Sequence, residues 1–227
     1  MNDTIAAIST SQGVGAISIV RVSGDKAIEI VSSIFSNKNL LNALSHTIHY
    51  GYIIDGDEKI DEVLVTLMRG PKTFTVEDVV EINCHGGIST TNRVLELLLT
   101  KGCRLAEPGE FTKRAFLNGR IDLTEAEGII DLINSETDAS RRMALNQVNG
   151  KVSSMISNLR DKLASIISNI EVNIDYPEYE DIAEVTIEDI DSNLEALESD
   201  IIHILDESNN GEIIKNGIKT VDRKSVV

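Results

Sequence analysis

At Leu123 the sequence changes period, and that change constrains the fold more than any other feature. Downstream, apolar residues stand at 145, 148, 152, 156, 159, 163, 166 and 170, stepping by three and four. Such a narrow seam belongs to a helix that could exceed ~40 Å at ~1.5 Å per residue. Thr124-Glu125-Ala126-Glu127 reads as the capping box that starts the helical tract. Asp175-Tyr176-Pro177-Glu178-Tyr179-Glu180-Asp181 interrupts it, and a second stripe of Ile190, Leu194, Leu197, Ile201 and Ile204 begins near Thr186. The interrupting loop is acidic but lacks the ligand order of a calcium loop, so it reads as a solvated turn. Two long antiparallel helices follow, with stripes that a hairpin cannot bury alone; further helices must cover them.

Upstream of Leu123 the pattern is mixed. Ile5 to Ile8 and Gly15 to Val22 read as strands joined by a Ser-Gln-Gly-Val-Gly turn, the second apolar enough for a sheet covered on both faces. Apolar residues at 27, 28, 31, 34 and 35 make a helical stripe with Asp25 as its cap, and Asn37 to Asn42 break it. Thr47 to Ile54 and Ile60 to Arg69 flank Asp55-Gly56-Asp57 as a hairpin. Val79 to Cys84 is a short buried strand, Thr91 to Leu99 a helix closed by Gly102, and Cys103 to Ala106 a last strand. The spacing therefore predicts an α+β domain over residues 1–118, an all-α domain over 119–210, and a linker over 211–227.

The chain has 227 residues and a formal charge of −16, and the charge is unevenly spread. Residues 1–120 carry 12 basic and 14 acidic side chains, whereas residues 121–227 carry 9 and 23. A phosphate-binding surface wants a basic stripe, so the helical half is a poor candidate for unaided nucleic-acid binding. Two cysteines, Cys84 and Cys103, lie in apolar surroundings without metal-ligand spacing. With neither a secretory leader nor an apolar span of membrane length in view, the expected setting is reducing and cytoplasmic, away from membranes.

The polar residues of the first domain stand out against this framework. Glu81 sits on a buried strand, where a carboxylate needs a partner or a ligand. The strand runs through Cys84-His85 into Gly86-Gly87, glycines that permit positive φ or a close approach of backbone or ligand. Cys84 and His85, as strand neighbours, point to opposite faces, which argues against a dyad. Arg21 shares a strand face with Ile17 and Ile19, either as a snorkelling edge residue or as a clamp for a carboxylate or ligand.

Glu81-Ile82-Asn83-Cys84-His85-Gly86-Gly87 and the run Glu107-Pro108-Gly109-Glu110-Phe111-Thr112-Lys113-Arg114-Ala115-Phe116-Leu117-Asn118-Gly119-Arg120-Ile121-Asp122-Leu123 together resemble the MnmE/TrmE family of tRNA-modifying GTPases. Asp3 to Ile8 and Gly15 to Gly24 look like the family's N-terminus, so the resemblance covers residues 3 to about 220. It implies a folate-binding α+β domain followed by part of a helical domain. It also implies that Arg21, Glu81 and Arg120 bind 5-formyl-tetrahydrofolate or a related one-carbon folate, although the family usually has lysine at the position of Arg120. The chemistry agrees: a pterin edge pairs with a buried carboxylate, and a folate's acidic tail suits a guanidinium. By resemblance, the family works with the flavoprotein MnmG to place an aminomethyl-type group on C5 of uridine 34. It dimerises through its N-terminal domain and meets tRNA mainly through the complex.

By resemblance, GTP, magnesium and potassium belong to the full-length family's GTPase domain, whose phosphate loop is expected after Gly211 to Val221, where Asp222 to Val227 stand instead. Lys224-Ser225 echoes the end of that motif without its glycines, so the chain as it stands is expected to lack GTPase activity. Two other readings stay open. A folate-dependent aminomethyltransferase-like enzyme would need an amine-donor site that no residues suggest, and a non-catalytic helical scaffold would leave Arg21 and Glu81 idle.

Overall fold

The computed structural model describes residues 3–11, 13–175, 186–217 and 221. The chain divides into two compact units, Met1–Ile121 and Asp122–Val227. The acidic turn over 176–181 and the Lys224-Ser225 pair lie outside the described residues.

The first unit is α+β. Its strands are β1 (Ile5–Ile8), β2 (Ile17–Ser23), β3 (Thr47–Asp55), β4 (Glu58–Met68), β5 (Val79–His85) and β6 (Arg104–Leu105). They form one sheet in the order β3-β4-β5-β2-β1-β6, antiparallel throughout except for β1 beside β6. Gly56, with φ of 61°, carries the tight β3–β4 turn.

Helices α1 (Ala27–Ile34) and α2 (Ile88–Thr100) lie on one sheet face. Alternation along each strand sends Val20 and Val22, Val63, Val65 and Leu67, and Val80 and Ile82 into a single core. They meet Val31 and Ile34 of α1 and Val94, Leu97 and Leu98 of α2 there. The expectation of a sheet covered on both faces does not hold within this unit. The opposite face leaves Ile17, Ile48, Tyr50 and Leu64 exposed. Nor does Asp25 cap α1; the N-cap is Lys26 without a side-chain bond, and its amide donates to Thr4 Oγ1 instead.

The second unit is all helical: α4 (Leu123–Asn134), α5 (Asp138–Val148), α6 (Lys151–Asp175) and α7 (Ile187–Asn216). The box that starts α4 lies two residues earlier than its sequence suggests. Asp122 accepts from the Glu125 amide while Glu125 accepts from that of Asp122, and the Thr124 hydroxyl merely donates to Asp122. The seam from 145 to 170 is likewise split between two helices. Gly150, at φ 75°, takes the left-handed conformation that ends α5, and its amide bonds the Gln147 carbonyl. Residues 211–216, expected in a linker, form the last turns of α7.

Lys162 of α6 bonds Asp200 of α7 at 2.6 Å, and Lys215 of α7 bonds Asp131 of α4 at 2.7 Å. No residue of α6 is fully buried, and Ile156, Leu163 and Ile167 remain exposed. The stripes are therefore only partly covered among the described residues, with Leu197 the one position in them that is buried. No helix there is long and apolar enough to cross a membrane.

Candidate functional site

The open face of the sheet carries the polar pair. Antiparallel register places Arg21 on β2 directly opposite Glu81 on β5. Arg21 Nε donates to Glu81 Oε1 at 2.8 Å, and Nη2 lies 2.7 Å from the same oxygen. Both contacts fall on one oxygen, and among the described residues nothing donates to Oε2. The side chains are 29% and 20% exposed, so the pair is half-sheltered and reachable. Two aromatic rings attend the guanidinium, with Phe74 and Phe111 centroids 5.9 and 5.5 Å from Arg21 Cζ.

Phe74 belongs to the loop that carries the chain from β4 to β5, and helix α3 (Glu110–Leu117) holds that loop. Asn118 Nδ2 donates to the Thr75 carbonyl at 2.6 Å, and Arg120 Nη1 donates to the Phe74 carbonyl at 2.9 Å. Arg120 Cζ also lies 4.9 Å from the centre of the Phe74 ring. From the other side, Ser23 Oγ bonds Thr75 Oγ1 and Glu77 Oε2, each at 2.7 Å. Val76, between these anchors, has φ of 69°. A β-branched residue rarely enters that region, and such strain persists only where the surroundings over-determine it.

The helix is itself fixed by a buried charge network. Arg114, 1% exposed, donates to Asp3 Oδ1 at 2.8 Å, to Glu77 Oε1 at 3.1 Å and to Glu110 Oε1 at 3.2 Å. Arg104 also bonds Glu110, and this bond above all, with the Glu107 amide and Arg114 adding to it, draws the Glu110 carboxyl down to about 2 against the cost of burial. Among the described residues, Arg114 Nε is a buried side-chain atom without a hydrogen-bond partner.

At the far end of β5, His85 Nδ1 lies 2.7 Å from Asp61 Oδ1, and the His85 amide donates to Asp61 Oδ2 at 2.8 Å. The hydrogen bond to Asp61 raises the imidazole pKa above its ordinary value. Cys84 faces the opposite way, and burial pushes its thiol up to about 12, which suits an inert core residue. Neither glycine that follows has positive φ, and Gly86 serves close approach. A Cβ on Gly86 would stand 2.3 Å from the Gly15 carbonyl oxygen, where the loop before β2 bonds the turn after β5.

Arg21 and Glu81 are thus bonded to each other, and Arg120 joins them through the Phe74 ring rather than by direct contact. Sequence reasoning missed Phe74, Phe111 and Arg114. Two of these lie inside the quoted run, but its spacing does not reveal that α3 faces the 70–78 loop.

Comparison with known proteins bears on both units. Residues 4–120 match the family model of the GTP-binding protein TrmE N-terminus, and residues 123–226 match that of the MnmE helical domain. The tRNA modification GTPase MnmE of Bacillus mycoides (strain KBAB4) is 54% identical over 220 residues, covering 96% of this chain and 48% of the relative. Its namesake in Lysinibacillus sphaericus (strain C3-41) is 54% identical over 224 residues, with 96% and 49% covered. That of Bacillus anthracis is 53% identical over 220 residues, with 96% and 48% covered. The chain spans about half the length of the curated relatives it matches.

Proposed function

The chain belongs to the MnmE/TrmE family of tRNA modification GTPases, and from that membership we propose that its first unit binds 5-formyl-tetrahydrofolate or a related one-carbon folate. The one-carbon unit then serves modification of wobble uridine 34, where the protein acts with the flavoprotein MnmG to install an aminomethyl or carboxymethylaminomethyl group. GTP hydrolysis, which the relatives' names carry, is assigned in this reading to the half of their length that this chain does not span, together with its magnesium and potassium. The helical unit is acidic, so contact with tRNA comes mainly through the complex, and a second copy pairs through the first unit. The whole operates in the cytoplasm.

The observation that supports the folate assignment is the free Oε2 of Glu81. Arg21 orients the carboxylate through Oε1 alone. A pterin's amino-pyrimidinone edge offers adjacent N–H donors, which a fixed carboxylate with an open oxygen accepts well. Phe74 and Phe111 add aromatic rings beside the Arg21 guanidinium. A flat, hydrogen-bonding heterocycle fits that set better than a sugar or a metal ion does.

Calorimetric titration of this chain with 5-formyl-tetrahydrofolate, without RNA or nucleotide, tests the proposal. Micromolar binding at one site per chain is expected. Absence of binding at millimolar ligand would overturn it.

A further inference from the structure

The loop from β4 to β5, whose Phe74 stands beside Arg21, is held by more than α3 and β2. Its first residues are bonded by the segment that leads into β3. Arg69 Nη2 donates to the Leu41 carbonyl at 2.7 Å, and the Arg69 amide donates to Ser45 Oγ at 2.8 Å. Ser45 Oγ in turn lies 2.8 Å from His46 Nδ1, and His46 Nε2 lies 3.0 Å from the Lys72 carbonyl oxygen. We infer that His46 is a positioning residue, whose ring clamps the main chain at Lys72 and so sets the loop that brings Phe74 to the Arg21–Glu81 pair; its role in ligand binding rests on the folate reading above.

The partners fix where the ring's hydrogen sits. A carbonyl only accepts, so Nε2 carries a hydrogen and donates it to Lys72. Ser45 Oγ already accepts from the Arg69 amide, which leaves its own hydroxyl hydrogen for Nδ1. Amide, hydroxyl, imidazole and carbonyl then form one directed chain that ties Arg69 to Lys72, with the Nε2–H tautomer at its centre. The His46 amide adds a bond to the Leu67 carbonyl at 2.7 Å, so one residue grips both the end of β4 and the loop after it.

Backbone conformation is a second, independent support. Among the described residues only two other than glycine have positive φ, His46 at 62° and Val76 at 69°. One lies in the β4–β5 loop and the other bonds it. Such conformations cost free energy and persist only where the surroundings over-determine them, and they cluster where a segment is held ready for a ligand. The third support is the path from the clamp to the site. Thr73, next to Lys72, is buried, and its hydroxyl donates to the Glu77 carbonyl at 2.6 Å. Phe74 follows directly, 5.9 Å from Arg21 Cζ, so a displacement at Lys72 is passed along two residues to the ring beside the polar pair.

Trypsin cleaves after lysine, and Lys72 is exposed, so the loop reports on its own release. The 227-residue chain is compared with His46→Gly, which keeps the positive φ without strain and deletes the ring, and with His46→Gln, which returns an N–H donor near the position of Nε2. Native-state cleavage after Lys72, followed by mass spectrometry, should be roughly two- to ten-fold faster in His46→Gly, the net worth of one hydrogen bond. His46→Gln should return towards the wild-type rate. Saturating 5-formyl-tetrahydrofolate should slow this cleavage in all three proteins, and its affinity should be weaker for His46→Gly, because binding draws on the placed loop. Equal cleavage after Lys72 in the wild type and His46→Gly would overturn the clamp, as would an equal acceleration after Lys101, an exposed site elsewhere in the first unit that reports global opening. Faster cleavage at Lys72 with unchanged folate affinity and no protection by the ligand would overturn the positioning role while leaving the folate reading intact. If the wild type binds no folate, that reading fails by itself, and the cleavage comparison still decides whether His46 clamps the loop.

Discussion

Glu81→Gln keeps the shape of the side chain and removes its charge. In the folate reading the ligand's donors then lose their acceptor, so formyl-tetrahydrofolate affinity should fall roughly thirty- to a thousand-fold, on the order of 2 to 4 kcal/mol. Stability should move by no more than about 1 kcal/mol, because the Arg21–Glu81 pair is partly open to solvent. Affinity and melting temperature measured together separate the two roles, and unchanged affinity in a folded variant removes Glu81 from the site. His85 gives a second prediction. Its folded pKa is raised by Asp61, so the stability this pair contributes is fully present below the unfolded value of about 6.5 and is lost as pH rises through the folded value. An NMR titration of the imidazole should show a midpoint above that of an unstructured histidine, returning towards it in Asp61→Asn. What the sequence offered at this scale was residue type and strand face. Arg21 and Glu81 could be read as candidates because charges on apolar strands need partners, yet nothing in their spacing of sixty residues says that register sets them opposite. Phe74 and His46 were invisible for a related reason: a loop side chain has no period to betray where it points.

Elements were legible where periodicity was strong and less so where caps decide. The hairpin of β3 and β4, the β5 strand and the two long helices follow from alternation and three-four stepping. Asp25 looked like a cap yet is not one, and Asp122 caps α4 in place of Thr124, because a cap depends on a single backbone turn rather than on a repeated pattern. Asp122→Ala should therefore cost about 1 kcal/mol, while Thr124→Ala should cost clearly less, as judged by denaturant unfolding. The larger element-level effect belongs to α3. Arg114 is the common partner of Asp3, Glu77 and Glu110; Arg104 still serves Asp3 and Glu110, so Arg114→Ala leaves the nearly buried Glu77 without its cation and should cost up to about 3 to 5 kcal/mol. The Glu110 carboxyl, lowered to about 2, adds a pH signature. Its contribution is present above the unfolded value of about 4.5 and is lost as pH falls towards 2, so acid unfolding of the first unit should steepen in that window. Circular dichroism against pH reads this directly.

At the scale of the whole molecule, the uneven treatment of the two sheet faces has to be accounted for. Helices α1 and α2 bury one face, whereas the other exposes Ile17 at 64%, Ile48 at 66%, Tyr50 at 58% and Leu64 at 47%. Register makes these residues neighbours: Tyr50 stands opposite Leu64, Leu64 opposite Asn83, and Asn83 opposite Ile19, one step along β2 from Ile17. Soluble monomers seldom leave so many large apolar side chains contiguous. A second copy that presents the same patch across a two-fold axis would cover both at once. On this proposal, light scattering across a range of concentrations should report a dimer, and the melting temperature should rise with concentration because association draws the folded state forward. Leu64→Glu and Ile48→Glu are surface changes worth within about 0.5 kcal/mol for a monomer. They should nevertheless give a monomer whose melting temperature no longer depends on concentration. A wild type that stays monomeric at high concentration, or a dimer indifferent to both substitutions, would remove this face from the interface.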